Sequence, residues 1–284
     1  MFIQIATGFI ISTAIGLAAY RKAALSKSGV VGAILTGTAI FGFGGWIWGM
    51  LLISFFILSS LLSTYKARLK ETLAEKFAKG SRRDLGQALA NGGAGALFAL
   101  IYAIAPHPAL FFAFTGAMAT VNADTWATEI GVLSQRPPRL ITTGKVVEPG
   151  ASGGVSRLGT LATLGGGFVM GFAAALFIVV DALFGGSGPA LTGSDRYALV
   201  IALPFIAALS GAAGSFCDSL LGATVQAMYY APARQKETEK VIDPDGIPNR
   251  HIRGWRWLNN DWVNFISSIA GASVGALVWA CLTI

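Results

Sequence analysis

Charge is what this sequence has least of. Asp, Glu, Lys and Arg make up 12% of its 284 residues, where an average soluble domain carries about a quarter. With 54% hydrophobic residues and 36 glycines beside that deficit, the chain reads as a polytopic membrane protein and not as a soluble domain. Cysteine is nearly missing: Cys217 and Cys281 both fall in apolar segments, so neither a disulfide framework nor a thiolate metal site has support. His107 and His251 are too far apart in sequence to form a ligand pair by themselves, and His107 in "APHPAL" reads as a tight turn between helices.

What is present in quantity is long apolar sequence. Several runs reach the roughly 20 residues that a helix needs to cross a hydrocarbon core of about 30 Å. Open sheets are excluded there because lipid cannot satisfy their edges. Spans are expected at about 2–20, 28–44, 46–65, 86–105, 109–131, 158–184, 197–229 and 262–283. The fold class is therefore an all-α polytopic membrane protein with about eight transmembrane helices, a single domain over 1–284. The second span is short and glycine-rich and could cross or re-enter; the seventh is long enough to project from the bilayer, and Pro204 could kink it near its start. Arg21 and Lys22 follow the first apolar run instead of preceding it, so that segment is expected to be retained and not cleaved as a signal peptide.

Loop charge orients this arrangement, because Lys and Arg in short loops concentrate on the cytoplasmic side. Arg21, Lys22 and Lys27, the run from Lys66 to Arg83, the stretch from Arg136 to Arg157 and that from Arg234 to Arg256 alternate with "GFGG", "APHP" and "GGSGPALTGSD". Both termini are thus expected on the non-cytoplasmic side, with cytoplasmic loops at about 66–85, 132–157 and 230–261. The net charge of +7 follows from this topology and from attraction to anionic lipid. No nucleic-acid partner is expected, and the oligomeric state is not specified.

At about 100° per residue, the polar groups inside the spans fall into stripes. Gln87, Asn91 and Gly95 form one; Asn122, Thr125 and Glu129 another; Gly211, Ser215, Asp218, Gly222 and Gln226 a third; Asp261, Asn264, Ser268, Gly271 and Gly275 a fourth. Small residues let backbones approach, and the polar ones then face protein or water. The topology brings Asp124, Glu129 and Asp218 to the cytoplasmic ends of their spans, so four helices converge on one acidic pocket there. Asp181 lies at the opposite end. Asp124 stands about 140° from Glu129 on a regular helix, so both reach one site only if the helix unwinds or is enclosed by protein.

A carboxylate at membrane depth costs about 2.5–3.5 kcal/mol on insertion scales, so each is expected to have a partner. Hydrogen bonds to neighbouring helices are one possibility. A hard divalent cation is the other: Mg²⁺ takes oxygen ligands, commonly one or two carboxylates and substrate phosphates. Asp124 and Asp218 are the preferred ligands, Glu129 a third ligand or an orienter, with Asn122 and Asp261 as further candidates. In "KVVEPGASGGVSR", 145–157, the glycines Gly150, Gly153 and Gly154 would let amides approach an anion, Ser152 and Ser156 add hydroxyls, and Lys145 and Arg157 add charge. The stretch lacks the P-loop spacing and could equally be a mobile loop. In "NRHIRGWRWLNND", Arg250 and Arg253 could bind phosphate or snorkel beside Trp255 and Trp257, an interfacial aromatic belt. "DPDG" at 243–246 reads as a turn.

These stretches, with "SRRDLGQALANGG" and "SFCDSLLGATVQ", resemble a family of integral membrane proteins that includes the transmembrane protein 19 group and plant phytyl-phosphate kinase. The resemblance runs from "LSKSG" at 25 to the last helix, and its most specific pieces are "ADTWATEIG", "RPPRLITTGK", "SGGVS" and "DSLLGAT". It implies phosphorylation of an isoprenoid monophosphate to the diphosphate, with a nucleoside triphosphate (CTP or ATP) as donor, and it points to Asp124, Glu129, Asp218, Asn91 and the 145–157 loop. Two other readings stand beside it: a transporter or lipid flippase, suggested by the faint likeness of "NADTWAT" to "FCDSLLGAT", and a cytidylyltransferase that forms a CDP-lipid in the same pocket. A transporter needs a polar path to the far side, whereas the fifth and seventh spans are apolar in their outer halves.

Overall fold

The computed structural model describes residues 1–65, 82–186, 188, 196–243 and 245–283. Most of the expected loop at 66–85, and most of "GGSGPALTGSD", lie outside the described residues. Among the described residues the chain forms eight α-helices: α1 Phe2–Arg21, α2 Lys27–Ala39, α3 Trp46–Thr64, α4 Leu85–Ile104, α5 Pro108–Gly131, α6 Arg157–Leu183, α7 Arg196–Thr224 and α8 Asn260–Leu282. A π-helical turn, Ile40–Gly44, prolongs α2. Seven of these segments are long and apolar enough to cross a bilayer, α2 with its π turn among them. The exception, α5, has the length at 24 residues, roughly 36 Å.

The reason α5 needs no apolar surface is its position. Every residue from Phe111 to Ala123 is buried, because α3, α4, α6, α7 and α8 surround it. Small residues make that enclosure possible. A methyl added at Gly116 would lie 2.6 Å from the carbonyl oxygen of Gly271 on α8, and one at Gly275 would lie 2.5 Å from that of Phe112. Gly166 of α6 and Gly211 of α7 approach the same helix at Ala123 and Ala119. Without a hydrophobic force between helices in lipid, such close backbone packing is what holds them together.

α2 runs antiparallel along the whole of α1: Gly16 faces Val30, Gly37 faces Ser12, and Gly42 faces Ile5. The second span therefore traverses as far as the first. Helix starts are set by local caps. Asp84 and Gln87 form a reciprocal capping box at α4, Ser156 accepts from the Gly159 amide at α6, and Asn259 accepts from that of Trp262 at α8. His107 caps α5 ahead of Pro108, as a turn there requires.

Two expectations need correction. The seventh span does not run from 197 to 229: α7 passes through Pro204 and stops at Thr224, and Met228–Ala231 is a β-strand. The apolar run "VQAMYYA" reads as helix, but Tyr229 and Tyr230 pair with strands on both sides, and that tertiary pairing overrides the local pattern. The segment 230–261 is likewise more than a loop. β3 Met228–Ala231 is the centre of an antiparallel sheet between β4 Lys236–Thr238 and β5 Arg250–Arg253. At the expected turn the Gly246 amide donates to the Asp243 carbonyl at 2.9 Å. Arg234 grips both Asp243 carboxylate oxygens, its Nε at 2.9 Å from Oδ2. A second pair of strands, β1 Arg139–Leu140 and β2 Gly154–Val155, folds the 132–157 segment back on itself.

Candidate functional site

At one end of the bundle α3, α5 and α7 finish while α4, α6 and α8 begin, and the two β-hairpin regions attach there. A cavity of about 320 Å³ opens among them. Asp124 reaches it from α5 and Asp218 from α7. Each carboxylate is held by a serine of a neighbouring helix: Ser215 Oγ donates to Asp124 Oδ1 at 3.4 Å, and Ser267 Oγ donates to Asp218 Oδ2 at 3.0 Å. The two acids are close enough to repel one another, and Glu239 adds a third negative charge within electrostatic reach of both.

Glu129 lines the same cavity from the other side of α5, where it accepts from Ser63 Oγ of α3 at 2.7 Å and faces the charge of Arg83. Helix α5 is regular through both positions. The wide angle between Asp124 and Glu129 is accommodated because the cavity wraps round the helix end, from Ser63 and Arg83 to Ser215 and Asp218. Burial lowers the pKa of the Arg83 guanidinium from its ordinary value, and the Glu129 charge opposes that shift.

The other expected residues divide. Asn91, Ser152, Gly153, Gly154 and Ser156 line the cavity. Gly153, at φ +81, is pressed so close to Ala223 that an added methyl would sit 2.6 Å from the Ala223 nitrogen; the glycine loop is thereby clamped to the end of α7. The amides of Ala151 and Gly154 donate within their own turns, to Glu148 and Ala151 carbonyls. Ser156 serves as the α6 cap.

Lys145, Arg157, Arg250, Arg253, Asn122 and Asp261 do not line the cavity. Lys145 and Arg157 are exposed, and Arg250 lies over the Tyr230 ring. Arg253 donates to the Gly222 carbonyl at 2.9 Å and feels Glu237 and Glu239. Asn122 is fully buried and donates to the Gly166 carbonyl of α6 at 2.8 Å; Asp124, two residues further along α5, faces the pocket instead. Asp261 is passed over in favour of Asn260 and Asn264.

Sequence reasoning missed the groups that complete the wall. The cations facing the cavity include Arg83 and Arg136. Gln226, fully buried, accepts from Ser152 Oγ at 3.0 Å and donates to Glu239 Oε1 at 2.9 Å, which ties the glycine loop to the β3–β4 hairpin. Glu239 carried no signal, since "KETEK" reads as a solvated charge run. Gln226 did stand on the α7 stripe, but it acts from the turn after that helix.

Among the described residues no three His, Cys, Asp or Glu side chains form a cage for a metal ion. Asp124 and Asp218 with serine and asparagine oxygens nearby do suit a hard cation that takes its remaining ligands from phosphate. At the opposite end the acid among the described residues, Asp181, is taken up by its neighbours. Asp181 accepts from Trp46 Nε1 at 2.7 Å and from the Gly188 amide at 2.8 Å, and Trp48 stacks on Phe114 with centroids 4.4 Å apart.

Fold and site together define a multi-pass membrane protein with an acidic cavity at one end of its bundle. The chain belongs to the integral membrane protein family DUF92, whose model matches residues 10–272. It is 34% identical over 275 residues to Protein PGR of Arabidopsis thaliana, covering 91% of this chain and 90% of that protein. An uncharacterized membrane protein of Methanocaldococcus jannaschii is 30% identical over 280 residues, with 99% and 96% covered. Protein VTE6, chloroplastic, of Arabidopsis thaliana is 28% identical over 259 residues, 89% of this chain and 65% of that one. No solved structure matches this chain.

Proposed function

We propose that the protein is a membrane isoprenoid-phosphate kinase, converting phytyl or another polyprenyl monophosphate to the diphosphate with a nucleoside triphosphate, CTP or ATP, and Mg²⁺, on the cytoplasmic side. The observation that carries this reading is the acidic cavity at the end of the bundle, where the apolar helices give way to the polar loops and hairpins. A lipid tail prefers the bilayer while both reacting groups are polyanions, so a site at that level serves both. The family resemblance, which takes in plant phytyl-phosphate kinase, supports the same chemistry.

Asp124 and Asp218 would hold the cation, with Ser215 and Ser267 fixing their orientation. A divalent cation bound there supplies neutralisation of the phosphoryl oxygens. Arg83 and Arg136 add positive charge at the rim, and the Ser152–Gln226–Glu239 chain fixes the glycine loop against which a phosphate would rest. A non-bridging oxygen of the lipid phosphate attacks the γ-phosphorus, the bond from that phosphorus to the β–γ bridging oxygen breaks, and the nucleoside diphosphate leaves with the electron pair. The attacking monoester is already largely ionised, its second pKa being about 6, so no protein base is required. Glu129, engaged with Ser63 and Arg83, is accordingly an orienting group.

Purified protein in detergent, incubated with Mg²⁺, labelled CTP or ATP and phytyl or geranylgeranyl monophosphate, should give the lipid diphosphate and the nucleoside diphosphate. A CDP-lipid with pyrophosphate would assign the cytidylyltransferase reaction instead. Absence of turnover with every donor, alongside flux of the lipid phosphate in vesicles, would assign a flippase.

A further inference from the structure

A second cavity, about 90 Å³ and almost wholly apolar, lies between α1, α2, α3 and α4. Its origin is a difference in packing. α2 is drawn tightly onto α1 at Gly37 and onto α4 at Gly92, whereas α3 packs chiefly on α5, α6 and the π turn. The cleft left between α1 and α3 is walled by Ile15, Ala33, Leu52, Ile53 and Phe56. On the outer surface beside it Leu17, Ile57 and Leu61 are exposed, as residues facing lipid would be.

The cleft adjoins the polar cavity, for Arg83, Gln87 and Asn91 line both. Arg83 sits at the junction. Its amide donates to the Ala24 carbonyl at 3.0 Å, its carbonyl accepts from the Ser26 amide at 2.9 Å, and its guanidinium crosses to α3, 3.1 Å from Ser60 Oγ and 5.6 Å from the Phe56 ring centre. One arginine thus spans the roof of the apolar cleft with its charge turned toward the acidic cavity.

We propose that this cleft seats the phosphate-proximal part of a single-chain lipid monophosphate, with Arg83 pairing with the phosphate where cleft and cavity adjoin. The proposal rests on the kinase reading for the identity of the headgroup. Bilayer and cleft are equally apolar, so burial itself gives the chain no reason to enter. The gain is positional: the phosphate reaches Asp124 and Asp218 while the adjoining carbons stay out of the polar cavity. The narrowness of the cleft selects one chain over the two of a phospholipid.

The test is photolabelling of the detergent-solubilised full chain, without nucleotide, by an isoprenoid monophosphate that carries a diazirine in its first isoprene unit. Label should fall on α1 near Ile15 and on α3 near Leu52 to Phe56. Ile53→Trp and Ile15→Trp fill the cleft from opposite walls, and each should lower labelling about tenfold with an unchanged thermal midpoint. Arg83→Gln should weaken labelling by the phosphate but not by the corresponding alcohol. Label confined to other helices, full labelling of both folded Trp variants, or equal competition by phosphatidylcholine would overturn the proposal. Labelling without turnover would uphold the cleft and sink the kinase reading; turnover with an unlabelled cleft would do the reverse.

Discussion

Replacing Asp218 by Asn separates a working carboxylate from a structural one. Asp218 and Asp124 repel each other, Glu239 repels both, and each Asp is offered one serine hydroxyl. Asn keeps an oxygen that can accept from Ser267, so the hydrogen bond survives while the repulsion goes. A charge at membrane depth costs about 2.5–3.5 kcal/mol at a helix centre. At the bundle end, with a serine partner, we expect about 1–2 kcal/mol of that to be recovered in Asp218→Asn. For a chain of this size that is a rise of about 2–6 °C in thermal midpoint. Turnover should fall by about 10²–10³, the usual cost of removing one electrostatic stabiliser of a transition state. Mg²⁺ should raise the wild-type midpoint, by about 2.7 kcal/mol of stability at a hundred times its dissociation constant, and should do much less for the variant. Thermal scans with and without Mg²⁺, beside the labelled-nucleotide assay, read all three effects. A variant that is destabilised and responds to Mg²⁺ as the wild type does would refute the reasoning, because the carboxylate would then be holding helices together and not a cation.

Three further outcomes are expected. Gly271→Leu would force α8 away from Gly116 and Thr120 of α5, costing at least about 1–3 kcal/mol by overpacking, visible as aggregation or a lowered midpoint in size-exclusion and thermal assays. The Arg234 hydrogen bond beside Asp243 holds that carboxyl below the usual carboxylate range, with Asn249 and Lys240 adding to the effect. A depressed folded value means stability present above about pH 4 and lost as pH falls through that lower value. Amide exchange in 228–253 should therefore rise at strongly acidic pH in the wild type, and already at neutral pH in Arg234→Ala. Asp181→Ala should leave turnover unchanged and lower stability by about 1–3 kcal/mol, since it strips acceptors from Trp46 and Gly188; loss of activity in a folded variant would show that the far end takes part in the chemistry.

How far the sequence carried depended on the solvent each segment meets. Helix number and most boundaries were legible because lipid imposes length and apolarity; the caps Asp84, Ser156 and Asn259 then fix the starts of α4, α6 and α8 close to where those runs begin. The misread end of α7 lies outside that constraint: beyond Thr224 the chain is free to form sheet, and "MYYA" satisfies either pattern. The acids inside the spans announced themselves by their cost, and Asp124, Glu129 and Asp218 do reach one cavity. Outside the spans charge is cheap and uninformative. Nothing in the sequence separates Arg83 and Arg136, which face the cavity, from Lys145 and Arg157, which are exposed. Glu239 and Gln226 depend on how a hairpin folds back, a long-range contact that no spacing encodes.

The asymmetry of the bundle bears on enzyme against transporter. A polar substrate moving through would need a path past the aromatic cluster in which Trp48 stacks on Phe114 and meets Phe111, all of them fully buried. It would also need to part α5 from α8, where Gly116, Thr120, Gly271 and Gly275 bring the backbones into contact. Packed interfaces of that kind are rigid, because each added methyl meets a neighbouring backbone or hydroxyl oxygen. The acidic cavity, by contrast, is walled by loops, a hairpin and helix ends that can adjust without disturbing this core. A phosphate admitted there has one low-cost way out, the way it entered, and in the meantime its tail need never leave the apolar phase. That geometry fits the proposed reaction, completed at one membrane face, better than it fits alternating access.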